Sequence, residues 1–95
     1  MKNVKKHMDL LGLKAKDNVT GYFGVITSVS FDLYGCIQAV LTPPYEGDDG
    51  KYPSGTWFDV TRLKITGKKP VMQLPNFDMG YVSEGKKGAA EKPDM

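Results

Sequence analysis

The sequence predicts a small all-β barrel over residues 12–66, and three observations carry this prediction. Apolar and polar residues alternate with a period of two from Leu13 onward, which is typical of strands with one buried face. The chain has 11 Gly and 6 Pro, which favour turns over long helices. Several short stretches rich in β-branched and aromatic residues are separated by turn residues, and a sheet of such strands removes its exposed edges by closing on itself.

Five predicted strands follow one another at short intervals. They cover residues 13–19, 22–32, 36–42, 56–60 and 63–66. In the second strand, Phe23 shares a face with four other residues while Ile26 lies on the other face, which predicts a bulge near Gly24 or burial on both sides. Trp57 and Phe58 are neighbours in a strand and must face opposite sides of the sheet. We expect Phe23 and Phe58 inside the barrel.

The segments on either side of the predicted barrel differ from it. Residues 1–11 form a basic leader with a short helical pattern, and Gly12 would end that helix. Residues 67–95 form a tail with two parts. Residues 71–82 are apolar enough to dock on the barrel or to become ordered on a partner, whereas residues 83–95 have few large apolar side chains and are predicted to be disordered.

The net charge of +2 is spread unevenly along the chain. Residues 1–16 carry five Lys against one Asp, whereas residues 17–66 carry three basic against six acidic residues. The predicted barrel is therefore acidic, and the positive charge belongs to the segments around it. Because nucleic-acid binding needs a clustered positive field, the pI of 8.6 is weak support for such binding.

The leader and the single cysteine bear on location. The first residues are basic but no apolar region follows them, so no secretory signal is predicted. No apolar run approaches the roughly 18–20 residues of a membrane span. The single cysteine, Cys36, excludes an intramolecular disulfide and suits a reducing compartment. The sequence therefore predicts a cytoplasmic protein with no membrane partner.

One stretch resembles a known group of folds. Residues 16–27, which read KDNVTGYFGVIT, pass through a strand, a turn and a Gly-hydrophobic-hydrophobic strand, and this resembles the opening of KOW/SH3-like barrels. Together with the later WFDVTRL stretch, the pattern resembles small uncharacterised proteins of tailed phages and prophages. The resemblance covers residues 12–66 and implies a five-stranded SH3-like, KOW-like barrel. The main rival, an OB-type barrel, usually has a helix where the Pro- and Gly-rich loop 43–55 lies.

Candidate catalytic and metal-ligating residues are few. His7 is the only histidine, and we predict a solvated residue of the leader rather than a ligand. Cys36 has no neighbouring base in any motif and is predicted to be a small core residue. Glu46, Asp48 and Asp49 supply only part of a calcium-loop pattern. The sequence therefore predicts no enzyme, no metal site and no cofactor.

The aromatic residues are more informative. Eight of them fall within residues 22–58, more than a small barrel can bury. Tyr22, Tyr34 and Trp57 are predicted to stay partly exposed and to form a face suited to a peptide or a flat base. The predicted binding residues are Tyr22, Tyr34, Trp57, Arg62, Phe77 and Tyr81.

Three functions remain in competition. The favoured function is a non-enzymatic interaction module of phage type that binds a protein partner, or its own copies, through the aromatic face and the 71–82 segment. The first alternative is a nucleic-acid-binding protein, because the KOW resemblance implies contacts with RNA or the transcription machinery. Its candidate residues are Lys5, Lys6, Lys14 and Lys16. The second alternative is an oligomeric binder of a small ligand or nucleotide, although no phosphate-binding motif is present.

Overall fold

The fold is described by a computed structural model, which covers residues 2–45, 47 and 53–77. The strands are β1 (Lys14–Asp17), β2 (Phe23–Phe31), β3 (Ile37–Thr42), β4 (Thr56–Asp59) and β5 (Leu63–Gly67). Helix α1 (Lys2–Met8) precedes them, and a 3-10 helix (Val60–Arg62) joins β4 to β5. All strand pairs are antiparallel, in the order β4-β3-β2-β1-β5. The predicted all-β class is confirmed as one five-stranded antiparallel sheet. Its two edge strands, β4 and β5, are not paired with each other, so the sheet is not closed into the predicted barrel.

The longest strand, β2, is irregular along its length. Its register against β3 shifts between Ile26 and Ser28, beyond the predicted position at Gly24. At Gly24 the backbone of β2 instead approaches the end of β3 very closely. A Cβ at this position would lie 2.4 Å from the carbonyl oxygen of Thr42, so only glycine fits here.

The prediction that Phe23 lies inside the fold is wrong. Phe23 is 58% exposed, whereas Phe58 is buried, as predicted. Side chains alternate along a strand, and the inward positions at this end of β2 are taken by Gly24 and Ile26. Phe23 therefore faces outward, beside its cross-strand partner Lys16.

The core lies on one face of the sheet and is small. Its buried apolar residues are Ala15, Ile26, Ala39, Leu41 and Phe58. Partly buried side chains pack around them, among them Leu10 and Leu11, which follow α1. Two of the five buried residues are alanines, which remove little apolar area from water. Contacts around the core therefore carry a larger share of the stability.

After β5 the chain crosses back over the residues that follow α1. The backbone N–H of Val71 donates a hydrogen bond of 2.9 Å to the carbonyl of Gly12. Side chains from residues 71–77 then line a groove together with Leu11 and Val25. Residues 78–95, which include the remainder of the predicted docking segment and the predicted disordered tail, lie outside the described residues.

Candidate functional site

The turn between β2 and β3, residues 32–36, is held by one carboxylate. Oδ1 of Asp32 accepts hydrogen bonds from the backbone N–H groups of Tyr34 and Cys36, at 2.9 and 3.0 Å. The backbone N–H of Asp32 donates to the carbonyl of Cys36 at 3.0 Å. Gly35 takes a positive φ of 94°, which a turn of this shape requires. The conformation of the turn is therefore fixed by its own hydrogen bonds.

This fixed turn presents two large side chains to solvent. Leu33 is 90% exposed and Tyr34 is 89% exposed, and we call this pair the turn tip. At the base of the turn, the ring of Phe31 meets the ring of His7 edge-on, with 6.1 Å between the ring centroids. Because the turn tip removes almost no apolar area from water within its own molecule, it does little for the stability of the isolated chain.

Cys36 lies in the same turn and is exposed, so the prediction of a core residue is wrong. Its backbone N–H bonds to the Asp32 carboxylate and its carbonyl accepts from the Asp32 N–H. Both backbone groups are thus used to close the turn. This holds Cys36 outside β3, whose first residue is Ile37, and away from the buried face.

An ion pair with a buried carboxylate lies at the opposite end of β2, between the last residue of β1 and the 3-10 helix. Asp17 is fully buried, and Arg62 donates two hydrogen bonds to it, from Nε at 2.8 Å and from Nη2 at 2.7 Å. Thr20 donates two more, from its backbone N–H at 2.9 Å and from its hydroxyl. The guanidinium of Arg62 holds the pKa of Asp17 well below its usual range, against the opposing effect of burial, and the bonds from Thr20 act in the same direction as Arg62.

Arg62 was predicted to be a binding residue, and the structure places it in this ion pair. Its guanidinium carbon also lies 5.3 Å from the centroid of the Phe58 ring. The hydrogen bonds to Asp17 raise the pKa of Arg62. Sequence reasoning did not single out Asp17, although a signal exists: Asp17 continues the alternation of Leu13 and Ala15, which puts a carboxylate on the apolar face of a strand.

Tyr22 lies beside this ion pair and connects two strands. Its ring packs on Phe58 with 5.3 Å between the centroids. Its hydroxyl donates to the carbonyl of Ser54 at 3.2 Å and accepts from the hydroxyl of Thr56 at 3.4 Å. Tyr22 therefore ties the start of β2 to the start of β4, and it is only half-buried.

The other predicted aromatic residues lie apart from one another. Trp57 is half exposed on the outer face of β4, opposite Val40 of β3. Phe77 is half exposed beside α1. Tyr81 lies outside the described residues. Of the predicted binding residues, the structure brings Tyr22 and Arg62 together at Phe58, and Tyr34 is the most exposed of those described.

Three lysines form a row on the outer face of the sheet. Lys14 and Lys16 alternate along β1 and are exposed. Lys16 has two cross-strand partners, Lys64 of β5 on one side and the exposed Phe23 of β2 on the other. We call Lys14, Lys16 and Lys64 the lysine row. Sequence reasoning missed Lys64, because its place depends on the pairing of the first strand with the last.

The remaining residues with chemical potential are dispersed. Lys5 and Lys6, which the nucleic-acid alternative uses, lie on α1, where Lys5 pairs with Asp9 at 3.1 Å. Within the part of the chain that the structure describes, no group of three or more His, Cys, Asp or Glu residues could hold a metal ion. Glu46 and residues 48–49, the partial calcium pattern, lie outside the described residues.

Two neighbouring grooves lie against residues 71–77. The first has a volume of about 250 Å³, and we call it the apolar groove. Its lining includes Leu11, Val25, Thr27, Met72, Leu74 and Phe77, and no charged side chain among the described residues. The second has a volume of about 400 Å³, lies against α1 and is bordered by Lys5 and Asp9.

Comparison with known proteins found no matching family model, no matching curated protein and no matching solved structure. The resemblance to KOW/SH3-like barrels and to tailed-phage proteins therefore stays a prediction. Within residues 2–45, 47 and 53–77, no helix is long and apolar enough to cross a membrane. The cytoplasmic location stays a prediction as well.

Proposed function

We propose that this chain is a non-enzymatic interaction module that binds a protein partner through the turn tip. One observation carries the proposal: Leu33 and Tyr34 stand 90% and 89% exposed on a turn that Asp32 fixes. Hydrogen bonds to Asp32 already hold the backbone of the turn in the conformation that presents the tip. Binding therefore does not have to order it, which removes one of the main costs of association.

The chemistry of the turn tip defines the pocket that receives it. Burying a leucine side chain in apolar surroundings stabilises a complex by about 1.5–3 kcal/mol, so we expect the partner to receive Leu33 in an apolar pocket. Tyrosine is enriched among the residues that dominate interfaces, because it combines a large ring with a hydroxyl. The partner site is thus an apolar pocket with a polar rim that hydrogen-bonds the hydroxyl of Tyr34.

The non-enzymatic part of the proposal rests on how the fold uses its acidic side chains. Asp17 is neutralised by Arg62 in the core. Asp59 caps the 3-10 helix by accepting hydrogen bonds from the backbone N–H and the hydroxyl of Thr61, at 2.9 and 2.7 Å. Asp32 closes the turn below the tip. These carboxylates hold turns and strands in place, which leaves them poorly suited to general acid or base catalysis.

We also propose that the sheet closes into the SH3-like barrel that the resemblance implies. A 3-10 helix between the two edge strands, β4 and β5, supports closure. So do the contacts that reach from the β4 region to the first turn, namely Tyr22 with Ser54 and Arg62 with Asp17. Nuclear Overhauser effects between backbone protons of β4 and β5 are expected from a closed barrel. Their absence would leave an open sheet.

Site-specific photocrosslinking tests the protein-binding proposal. A benzophenone amino acid in place of Tyr34 is expected to form an adduct of defined mass in cells that carry the gene. The same amino acid in place of Val19, which is 72% exposed on a different turn, is the matched control. Leu33→Ser is expected to remove the adduct from position 34. If positions 34 and 19 give the same products, the proposal is rejected.

The lysine row favours a second candidate function, the binding of single-stranded nucleic acid. Lys14, Lys16 and Lys64 supply positive charge for a phosphate backbone, and the exposed ring of Phe23 beside them can stack on a base. Asp17, which follows Lys16 in β1, points inward and is paired with Arg62, so its carboxylate does not cancel the charge of the lysine row.

Salt dependence tests the second candidate. For a single strand, the logarithm of affinity falls with the logarithm of salt concentration by about 0.7 per phosphate neutralised, so three lysines predict a slope of about −2. Lys16→Ala is expected to reduce that slope by about 0.7, while Lys6→Ala on α1 leaves it unchanged. If an oligonucleotide does not bind at about 50 mM salt, the candidate is excluded.

A further inference from the structure

We infer that the partner of the turn tip is a second copy of this chain, which receives Leu33 and Tyr34 in its apolar groove. The inference rests on the proposed protein-binding function and specifies its partner. Both complementary surfaces occur on one molecule. The two side chains of the tip are uncharged, and so are the described residues that line the groove.

The apolar groove has the size that the turn tip requires. Its volume is about 250 Å³. An apolar cavity of roughly 150 Å³ takes up benzene, so the groove accommodates the ring of Tyr34 together with part of Leu33. Met72 and Phe77, which line the groove, are themselves exposed and would be covered by the same contact. Methionine adapts its shape readily to an incoming ring.

The turn tip cannot fill the groove of its own molecule. The groove lies beside Val25 and Ile26, near the start of β2, whereas the tip follows the end of the same strand. At about 3.3 Å per residue, the tip lies roughly 20 Å from the groove. Because Asp32 fixes the turn, the tip does not fold back along the strand. A tip seated in a groove therefore joins two molecules.

The symmetry of this contact follows from its two different surfaces. The contact between a tip and a groove is heterologous, because it joins two different surfaces. In a pair of molecules, one keeps an unused tip and the other an unused groove, and each can bind a further copy. Two side chains bury far less area than the roughly 1,600 Å² of a standard interface, so we expect a weak association that is visible only at high protein concentration. The mean mass should rise steadily with concentration instead of stopping at a dimer.

Sedimentation equilibrium of the full chain, up to about 1 mM, measures this association. Leu33→Asp on the tip and Met72→Asp in the groove are each expected to weaken it at least tenfold. Both positions are exposed, so the variants should keep the fold, which circular dichroism checks. Val19→Asp introduces the same charge at an exposed position on another turn, and it should associate like the wild type.

Mixing the two variants is the decisive arm of the experiment. Leu33→Asp retains a groove and Met72→Asp retains a tip, so the mixture should form a one-to-one dimer that does not grow further. If association came instead from contacts between two tips, mixing would add nothing, because only the Met72→Asp variant has an intact tip. A mixture that stays monomeric therefore overturns the inference, as does a wild-type chain that stays monomeric at the highest concentration.

Two further outcomes would also overturn the inference. A double variant of the full chain, Met79→Ser with Tyr81→Ser, tests whether the tail occupies the groove. If this variant associates and the wild type does not, the chain's own tail fills the groove. If position 34 crosslinks only to a different protein, the inference fails while the proposed protein-binding function stands. If both the inference and the proposed protein-binding function are wrong, the chain will neither associate with itself nor crosslink from position 34.

Discussion

The two turns at the ends of β2 are built in the same way and serve opposite purposes. In the first turn Asp17 accepts hydrogen bonds from Thr20, and in the second Asp32 accepts them from two backbone N–H groups of its own turn. Asp17 is fully buried and paired with Arg62, whereas Asp32 is exposed. The first turn closes the core, and the second carries the turn tip into solvent.

The difference between the turns depends on one distant residue. Arg62 lies 45 positions from Asp17 in the chain and brings the charge that lets a carboxylate be buried. The hydrogen bonds that hold Asp32 come from within its own turn. A turn anchored by aspartate is therefore a local unit. Its role depends on its contacts with distant residues. Arg62 makes the first turn part of the core, whereas the second turn presents its side chains to solvent.

The largest effect is expected where the first turn meets the core. Phe58→Ala removes the buried ring that packs on Tyr22 and lies next to Arg62, and it should cost about 3–5 kcal/mol of unfolding free energy. Urea denaturation measures the loss. Trp57→Ala is the control, because its side chain is on the outer face, and it should cost about 1 kcal/mol. Equal losses would contradict the assignment of inner and outer faces.

The next effect is the pH dependence that the ion pair creates. Arg62 holds the pKa of Asp17 below its ordinary value of 3.8 in the folded chain. The stability from this pair is therefore present above that pH and is lost as the pH falls toward the folded pKa. Thermal unfolding should show Asp17→Asn less stable than wild type near neutral pH, with the two curves converging in acid.

Asp9→Asn is the matched control for the pH experiment, because Asp9 forms an exposed pair with Lys5. Exposed pairs contribute little, so its unfolding curve should run close to that of the wild type at every pH. If the gap between Asp17→Asn and wild type stays constant down to low pH, the ion pair is not the source of the difference.

A smaller effect is expected from the backbone of the second turn. Gly35 has a φ of 94°, and a Cβ there would meet nothing within 4 Å, so Gly35→Ala costs only backbone strain of about 1–2 kcal/mol. Gly35→Asn should cost less, because asparagine adopts this conformation more readily. Chemical denaturation compares the two variants. A larger loss with Asn than with Ala would contradict the role of φ.

The smallest effect on stability is expected at the turn tip itself. Leu33→Ser and Tyr34→Ser should change the unfolding free energy by no more than about 0.5 kcal/mol, because both side chains are almost fully exposed. The same substitutions should abolish partner binding. Stability and binding measured on one preparation would separate the two roles. A loss comparable to that of Phe58→Ala would show that the tip packs on its own fold.

The strands could be predicted from the sequence because their signals are local. The alternation that starts at Leu13 and the β-branched and aromatic stretches place all five strands close to where the structure has them. The exposure of Tyr34 was predicted from the number of aromatic residues, which exceeds what so small a core can bury, and it is confirmed. Cys36 was misjudged because a cysteine's preference for burial is weaker than the geometry of the turn that contains it.

The features that escaped prediction depend on residues far apart in the chain. The place of Asp17 is set by Arg62, and that of Lys64 by the register between β1 and β5. Phe23 faces outward because Gly24 takes the inward position against Thr42. The local alternation of β1 already puts Asp17 on the apolar face, but its ion pair with Arg62 and the places of Lys64 and Phe23 depend on contacts between distant segments.

The pairing of the first strand with the last has a consequence for synthesis. At about 5–20 residues per second, Asp17 leaves the ribosome roughly 2–9 s before Arg62, which lies 45 residues later. The hairpin of β2 and β3 depends on contacts near in sequence and can form within that interval. The turn tip is therefore exposed to the surrounding cell, or to a neighbouring nascent copy, seconds before the sheet that supports it is complete.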